Sequence, residues 1–286
     1  MMMLSNKVAA AVVMYNPEED IVENISSYIN QVERIYVIDN SEIHNENLIR
    51  ILSSYASVSY YNNEGNKGVA AALNRAAQLA IDGGYQFLLT MDDDTQMPED
   101  GVKKMLQYIM ETKKKIGIVA AQSDPRFFYK PNRSVYFTIT SGNLLNLSAY
   151  KKNGPFLDEL FIDYVDHEFC FRLIMNGYAI IELNEVCLQH KLGEIKEINL
   201  GPIKVKWTSH SPLRVYYKTR NCFYVLKKYR FLPITIRMYF YKDVLRDLVK
   251  IFFLEDEKFP RIILYVKAIR DAFFNDLGKL ELTKNA

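Results

Sequence analysis

The sequence predicts an α/β fold, a mainly parallel sheet flanked by helices, with a helical extension at its C-terminal end. Three observations predict it. Short apolar, β-rich runs alternate with segments of helical period through the first half, the pattern of crossover units whose helices cover both faces of a parallel sheet. After Trp207 the pattern becomes almost wholly helical. The composition is that of a globular chain, with 49% hydrophobic and 24% charged residues and only 12 Gly and 9 Pro among 286, which excludes a disordered or fibrous protein. That length is enough for one large α/β domain, expected over residues 1–210, and a helical extension over 211–286.

Residues 8–14 (Val-Ala-Ala-Ala-Val-Val-Met) are the first strand. The run is too short to span a membrane and no small-residue cleavage pattern follows it. Residues 34–38, 58–61, 85–91 and 116–121 are the next strands, and 18–30, 45–54, 68–81 and 98–112 are the helices between them. The helix at 68–81 carries small residues (Ala76, Ala77, Ala80) that permit close packing. Residues 135–147 are strand-like, 161–176 helix-like, and 178–183 with 186–190 resemble a last strand pair. Pro233 and Pro260 are expected to break the C-terminal helices. Cys170, Cys187 and Cys222 are odd in number and lack any zinc-site spacing, which points to a reduced, cytoplasmic protein.

In open α/β sheets ligands gather outside the carboxyl ends of the strands. Strand one is followed by Tyr15-Asn16-Pro17, strand two by Asp39-Asn40-Ser41, and strand four by Asp92-Asp93-Asp94. Three adjacent carboxylates repel one another unless a cation sits among them, and a hard divalent ion shared with substrate phosphates is a common solution. A solvated acidic turn ahead of the next helix explains the same residues. The loop Asn66-Lys67-Gly68 opens the third helix, whose free N–H groups suit an anion; a glycine-assisted turn is the plainer reading. A second acidic cluster, Asp163, Asp166 and Glu168, lies in an aromatic segment. On a helix, Asp163 and Asp166 share a face, and one of them can serve as general base. His190, at a strand end, is a further metal-ligand candidate.

In this order, Val12 to Asn16, Tyr36 to Ser41, Asn66 to Asn74, Leu88 to Thr95, Thr140-Ser141-Gly142-Asn143, Phe161 to Arg172 with Gly177-Tyr178, His190 to Gly193 and Arg214 to Asn221 resemble glycosyltransferase family 2, inverting enzymes of the GT-A fold, in its rhamnosyltransferase-like branch. The resemblance covers about residues 8 to 221. It implies an enzyme that moves a sugar, L-rhamnose from dTDP-L-rhamnose first, from a dTDP- or UDP-sugar to a glycan or lipid-linked glycan of the bacterial surface. It implies that Tyr15, Asn16, Asp39, Asn66, Lys67, Gly68, Asp92, Asp93 and Gly142 contact the donor, with Asp39 at the base. Asp94 and His190 then hold a divalent metal, Mg2+ or Mn2+, and Asp166 is the general base. Asp93 stands where the branch commonly has Gln, so an Asp92/Asp94 and an Asp93/Asp94 usage are both open.

Between Arg214 and Lys250 ten basic residues face two acids, interleaved with aromatics. This segment suits the anionic inner face of the plasma membrane, where the protein would be peripheral; a cap over the catalytic domain or a homodimer interface fits the same pattern. No nucleic-acid-binding motif accompanies it. The rival functions are a haloacid-dehalogenase-type phosphatase, for which the Thr95 position is one place early, and a catalytically silent sugar-binding scaffold.

Overall fold

A computed structural model describes residues 7–123, 130–190, 195–200 and 203–281. The chain divides into two compact units. The first comprises Met1–Asp158 and Val165–His190; the second comprises Glu159–Tyr164 and Lys191–Ala286. The helical part therefore takes in the hairpin that contains Trp207 and a short segment from the middle of the chain.

The first unit is built on β1 (Val8–Met14), β2 (Arg34–Asp39), β3 (Val58–Asn62), β4 (Phe87–Asp92), β6 (Ile116–Gln122), β7 (Asn132–Ser134), β8 (Asn143–Asn146) and β9 (Ala179–Cys187). They form one eight-stranded sheet in the order β3-β2-β1-β4-β8-β6-β9-β7. Strands β3, β2, β1 and β4 are parallel neighbours, β8 runs antiparallel between β4 and β6, and β9 is parallel to β6. β1 is buried along most of its length because helices cover both faces. α3 (Val69–Asp82) lies against β1 and β2 through Ala72, Leu73, Ala76, Ala77 and Ala80, all fully buried; the four alanines on that face let helix and sheet approach.

α1 (Ile21–Ser26), α2 (Glu46–Ser53), α4 (Gly101–Glu111), α5 (Leu147–Asn153) and α6 (Val165–Met175) complete this unit. Two sequence expectations change here. The helix expected over 18–30 shortens to α1 and a 3-10 turn at Ile29–Gln31, because the chain bends at Tyr28 to bury its ring. The strand expected over 135–147 shrinks to β8, and Asn146 then caps α5 by accepting from the Ser148 and Ala149 N–H groups.

The second unit contains the hairpin of β11 (Ile195–Leu200) and β12 (Ile203–Thr208), then α7 (Pro212–Lys228), α8 (Ile234–Phe253) and α9 (Lys258–Phe274). Pro233 caps α8 and does interrupt the helices, whereas Pro260 sits in the first turn of α9, where its missing N–H costs nothing. The segment ahead of α6 belongs to this unit and is not helical. Phe161, Asp163 and Tyr164 have φ of 66°, 60° and 64°, a left-handed conformation that a right-handed helix cannot contain. Buried Asn221 of α7 holds it, its Nδ2 donating to the carbonyls of Leu160, Ile162 and Asp163 at 2.8, 2.8 and 2.9 Å. Arg220, also buried, donates to the carbonyls of Glu159, Leu160 and Gly278.

Candidate active site

The sheet changes direction of winding at β1: the chain proceeds to β2 on one side and returns to β4 on the other. Such a switch point opens a crevice at the carboxyl ends. Met14 pairs with Asp39 and Val13 with Asp92. The two aspartates thus flank the end of β1, separated by two strand spacings, roughly 10 Å. Tyr15 and Asn16 follow directly, Tyr15 exposed on the rim and Asn16 in a left-handed turn whose N–H donates to Ser41 Oγ at 2.8 Å.

Asp39 is a buried carboxylate with its oxygens committed. Oδ2 accepts from Tyr60 OH at 2.8 Å and from His44 Nδ1 at 2.9 Å, and Oδ1 accepts from Ser41 N–H at 2.9 Å. Because a carboxylate only accepts, His44 must carry its proton on Nδ1, and Asn62 Nδ2 then donates to Nε2 at 3.0 Å. Burial pushes the Asp39 pKa up, but the hydrogen bonds from Ser41, Tyr60 and His44 outweigh it and hold the carboxyl below its ordinary range. A cavity of about 160 Å³ opens beside it, lined also by Met14, Asn16, Ile43, Leu48 and Ile49. A charged acceptor at the wall of a small, partly apolar cavity suits a flat ring that offers an N–H.

At the end of β4, the Asp92 N–H donates to Ser141 Oγ at 3.0 Å. Asp93 turns back into the fold, its carboxylate accepting the Tyr15 N–H; burial and the neighbouring Asp94 push its pKa up to about 6. Asn24 Nδ2 holds the Asp93 carbonyl at 2.9 Å. Asp94 Oδ1 accepts from Thr95 Oγ1 at 3.1 Å. Two short strands, β5 (Thr95–Gln96) and β10 (Gln189–His190), then pair antiparallel with His190 opposite Thr95. The backbone of His190 is therefore one residue in register from Asp94; its side chain lies outside the described residues. Among the described residues no group of three or more metal-ligating side chains forms. Half-buried Asp92 and Asp94 nevertheless fit a hard divalent cation, which needs only one or two protein carboxylates when phosphate and water complete its shell.

Gly142 has φ of 74°, and a Cβ there would stand 2.7 Å from Leu188 Cδ1. Its N–H donates to the Thr90 carbonyl and its carbonyl accepts from Ala121, so it stitches β4 to β6. Half-buried Thr140 and fully buried Ser141 precede it, beside the carboxyl end of β4. The loop of Asn66, Lys67 and Gly68 ends with Gly68 at φ 89°, its N–H held by Asn66 Oδ1 at 3.0 Å and its carbonyl by Asn40 Nδ2 at 3.1 Å. Lys67 is exposed, and no side chain caps α3, so its first-turn N–H groups face the loop.

Asp166 lies in the first turn of α6. Its Oδ1 accepts from His167 N at 2.8 Å and from His167 Nδ1 at 2.5 Å, and its Oδ2 accepts from Thr140 Oγ1 at 3.3 Å. Burial raises its pKa, but the His167 charge and these hydrogen bonds prevail and hold it low. Phe137 stacks on His167 with ring centroids 4.6 Å apart. Glu168, by contrast, is buried against Arg172 at 2.8 Å, and Arg172 also holds the Asn153 and Pro155 carbonyls. The adjacent residues Thr140 and Ser141 thus link Asp166 to the Asp92 strand end within one unit. Sequence reasoning assigned no role to His44, Tyr60, Thr140, Ser141 or His167; the stretches 140–143 and 161–172 took in Thr140, Ser141 and His167, and no signal marked His44 or Tyr60.

Comparison with known proteins places this geometry. A family model described as glycosyl transferase family 2 matches residues 10–172. The chain is 26% identical over 250 residues to dTDP-rhamnosyl transferase RfbF of Shigella flexneri, covering 79% of this chain and 81% of that protein. It superposes on the crystal structure of S. aureus TarS 1-349 in complex with UDP-GlcNAc with a TM-score of 0.64 and 16% identity, covering 93% of this chain and 80% of that one. It spans about half of a longer TarS chain (49%). The structure of GalNAc-T7 with UDP, GalNAc and Mn2+ follows at a TM-score of 0.58 and 13% identity, with 85% of this chain and 55% of that one covered. The sheet with its flanking helices is accordingly the GT-A fold, and the chain belongs to glycosyl transferase family 2 as a glycosyltransferase that uses a nucleotide-sugar donor.

Proposed function

We propose that this glycosyltransferase moves L-rhamnose from dTDP-L-rhamnose to a hydroxyl of a bacterial surface glycan, free or lipid-linked, with inversion at the anomeric carbon. The donor sugar rests on the similarity to the Shigella flexneri protein named a dTDP-rhamnosyl transferase. The observation that carries the site is the Thr140-Ser141 link, which ties a carboxylate to the same rim as the aspartate cluster.

In this reading Asp39 accepts the imide N–H of thymine or uracil, and Tyr15 and Asn16 border the nucleoside. The Asn66 to Gly68 loop and the start of α3 lie against the donor. Asp94, with Asp92 beside it and His190 across β5, would hold a divalent cation, Mg2+ or Mn2+; Asp93 is spoken for by the Tyr15 N–H, which favours the Asp92/Asp94 usage. When bound, such an ion stabilises the charge of the departing diphosphate. Asp166 takes the acceptor proton as the acceptor oxygen attacks the anomeric carbon opposite the leaving group. His167 and Thr140 keep Asp166 ionised and oriented before the proton arrives.

The test is a donor screen by calorimetry and product analysis. dTDP-L-rhamnose is expected to bind and to yield dTDP with acceptor; selective turnover of another nucleotide sugar would replace the donor assignment. Asp166→Asn is expected to retain donor affinity and to lose transfer by at least about a hundredfold, and equal transfer by the variant would remove Asp166 as base.

A further inference from the structure

We propose that the helical unit docks on an anionic lipid bilayer, seating a lipid phosphate between Arg230 and Arg237. The second unit leaves two apolar stripes uncovered. On α8, Ile234, Met238, Leu245, Val249 and Phe252 fall within about 60° of helical arc at 100° per residue. On α9, Phe259, Ile263, Val266, Ile269 and Phe273 fall within about 120°. These ten side chains are between 40% and 75% exposed. A contiguous apolar surface of this kind on a helix marks an interaction face.

Charge selects the occupant. From Pro212 to Phe274 there are fourteen basic and six acidic residues. The acids are largely consumed internally: Asp243 and Asp247 pair with Lys218, Asp271 with Lys267 and Arg270, and Glu255 with Arg261. Arg237 and Lys242 border the α8 stripe on its two sides, the placement in which long cationic side chains reach headgroups while their stems lie along hydrocarbon. Arg270 lies inside the α9 stripe with its guanidinium drawn to Asp271. Covering the stripes with a second copy would bring two basic faces together, whereas an anionic bilayer satisfies both apolar surface and charge.

A cavity of about 510 Å³ in the same unit gives the contact a specific seat. Phe223, Leu226, Ile269 and Phe273 form apolar wall, and Arg230 and Arg237 also line it. Lys227, also on the wall, is engaged with the Phe273 carbonyl and Asn275. The carboxylates of α8 are engaged elsewhere, Asp243 by Lys218 and Arg246 and Asp247 by Lys218 and Lys250. Two planar donor forks beside apolar wall match a phosphodiester joined to a hydrocarbon chain. No helix among the described residues is long and apolar enough to cross a membrane, so the contact lies along the surface.

Flotation of the full chain with phosphatidylcholine vesicles, with and without phosphatidylglycerol, tests this. Binding is expected to the anionic vesicles alone and to fall as salt rises. Replacing both arginines (Arg230→Gln with Arg237→Gln) is expected to weaken it at least about tenfold, and Phe252→Ser with Phe273→Ser to weaken it while calorimetric nucleotide affinity stays at the wild-type value. Equal binding to neutral vesicles, no binding to either, or undiminished binding by both variants overturns the proposal. So does a solution dimer that Phe252→Ser with Phe273→Ser dissolves, or inorganic phosphate bound at the arginine pair by a protein that ignores vesicles.

Discussion

Asp39 shows how one buried carboxylate is prepared by the hydrogen-bond donors around it. Burial alone would raise its pKa, yet Ser41, Tyr60 and His44 hold it below the ordinary value of 3.8. A depressed carboxylate contributes stability above its unfolded-state pKa, and that contribution is lost as pH falls through the folded-state value. The melting-temperature gap between wild type and Asp39→Asn is therefore expected to be constant from neutral pH down to about 4 and to close below it. A gap that widens on acidification would contradict the assignment. Tyr60→Phe removes one of the two donors on Oδ2 and is expected to weaken UDP or dTDP binding by roughly fivefold in calorimetry, the effect of one hydrogen bond of about 1 kcal/mol. Asp39, Asp92 and Asp166 were legible in the sequence because each is an acid at a strand or helix end. Tyr60 and His44 were not, because their use depends on β3 and the loop after β2 meeting at one carboxylate.

The segment ahead of α6 states the same lesson for an element. Its residues read as the start of a helix, and nothing local forbids it: no glycine or proline stands between Phe161 and Val165. Three left-handed residues there carry strain of order 1 kcal/mol or more each, held by Arg220 and Asn221 some sixty residues later. The sequence pattern cannot display a cause so distant, although both residues stand in the stretch that resembles the family. Asn221→Ala would leave three carbonyls without this donor and is expected to cost about 2–3 kcal/mol, read as a lowered urea midpoint with the slope preserved. A change within about 0.5 kcal/mol would show that the loop does not need the clamp. Gly142→Ala is expected to cost about 1–3 kcal/mol for its positive φ and its contact with Leu188. The parallel strands, in contrast, were legible nearly to the residue, since β1, β2 and β3 are apolar runs bounded by polar turns.

Across the whole molecule, the two units present different chemistry. The first gathers carboxylates at the carboxyl ends of β1, β2 and β4; the second gathers cations and uncovered apolar side chains on α8 and α9. The charge separation was legible from the basic run after Arg214, but the stripes were not, because exposure depends on which helix faces α7, α8 and α9 turn toward one another. Hydrogen exchange can read the two surfaces in one experiment. A nucleoside diphosphate with Mg2+ is expected to slow exchange around Tyr15–Asn16, Asp39–Ser41 and the Asp92–Thr95 turn, with α8 and α9 unchanged. Anionic vesicles are expected to slow exchange in α8 and α9 and leave that rim unchanged. Ligand binding stabilises only what it touches or what opens together with it. Protection of α8 and α9 by nucleotide alone would therefore mean that the units open as one cooperative body, and the surfaces would then have to be treated as a single coupled system.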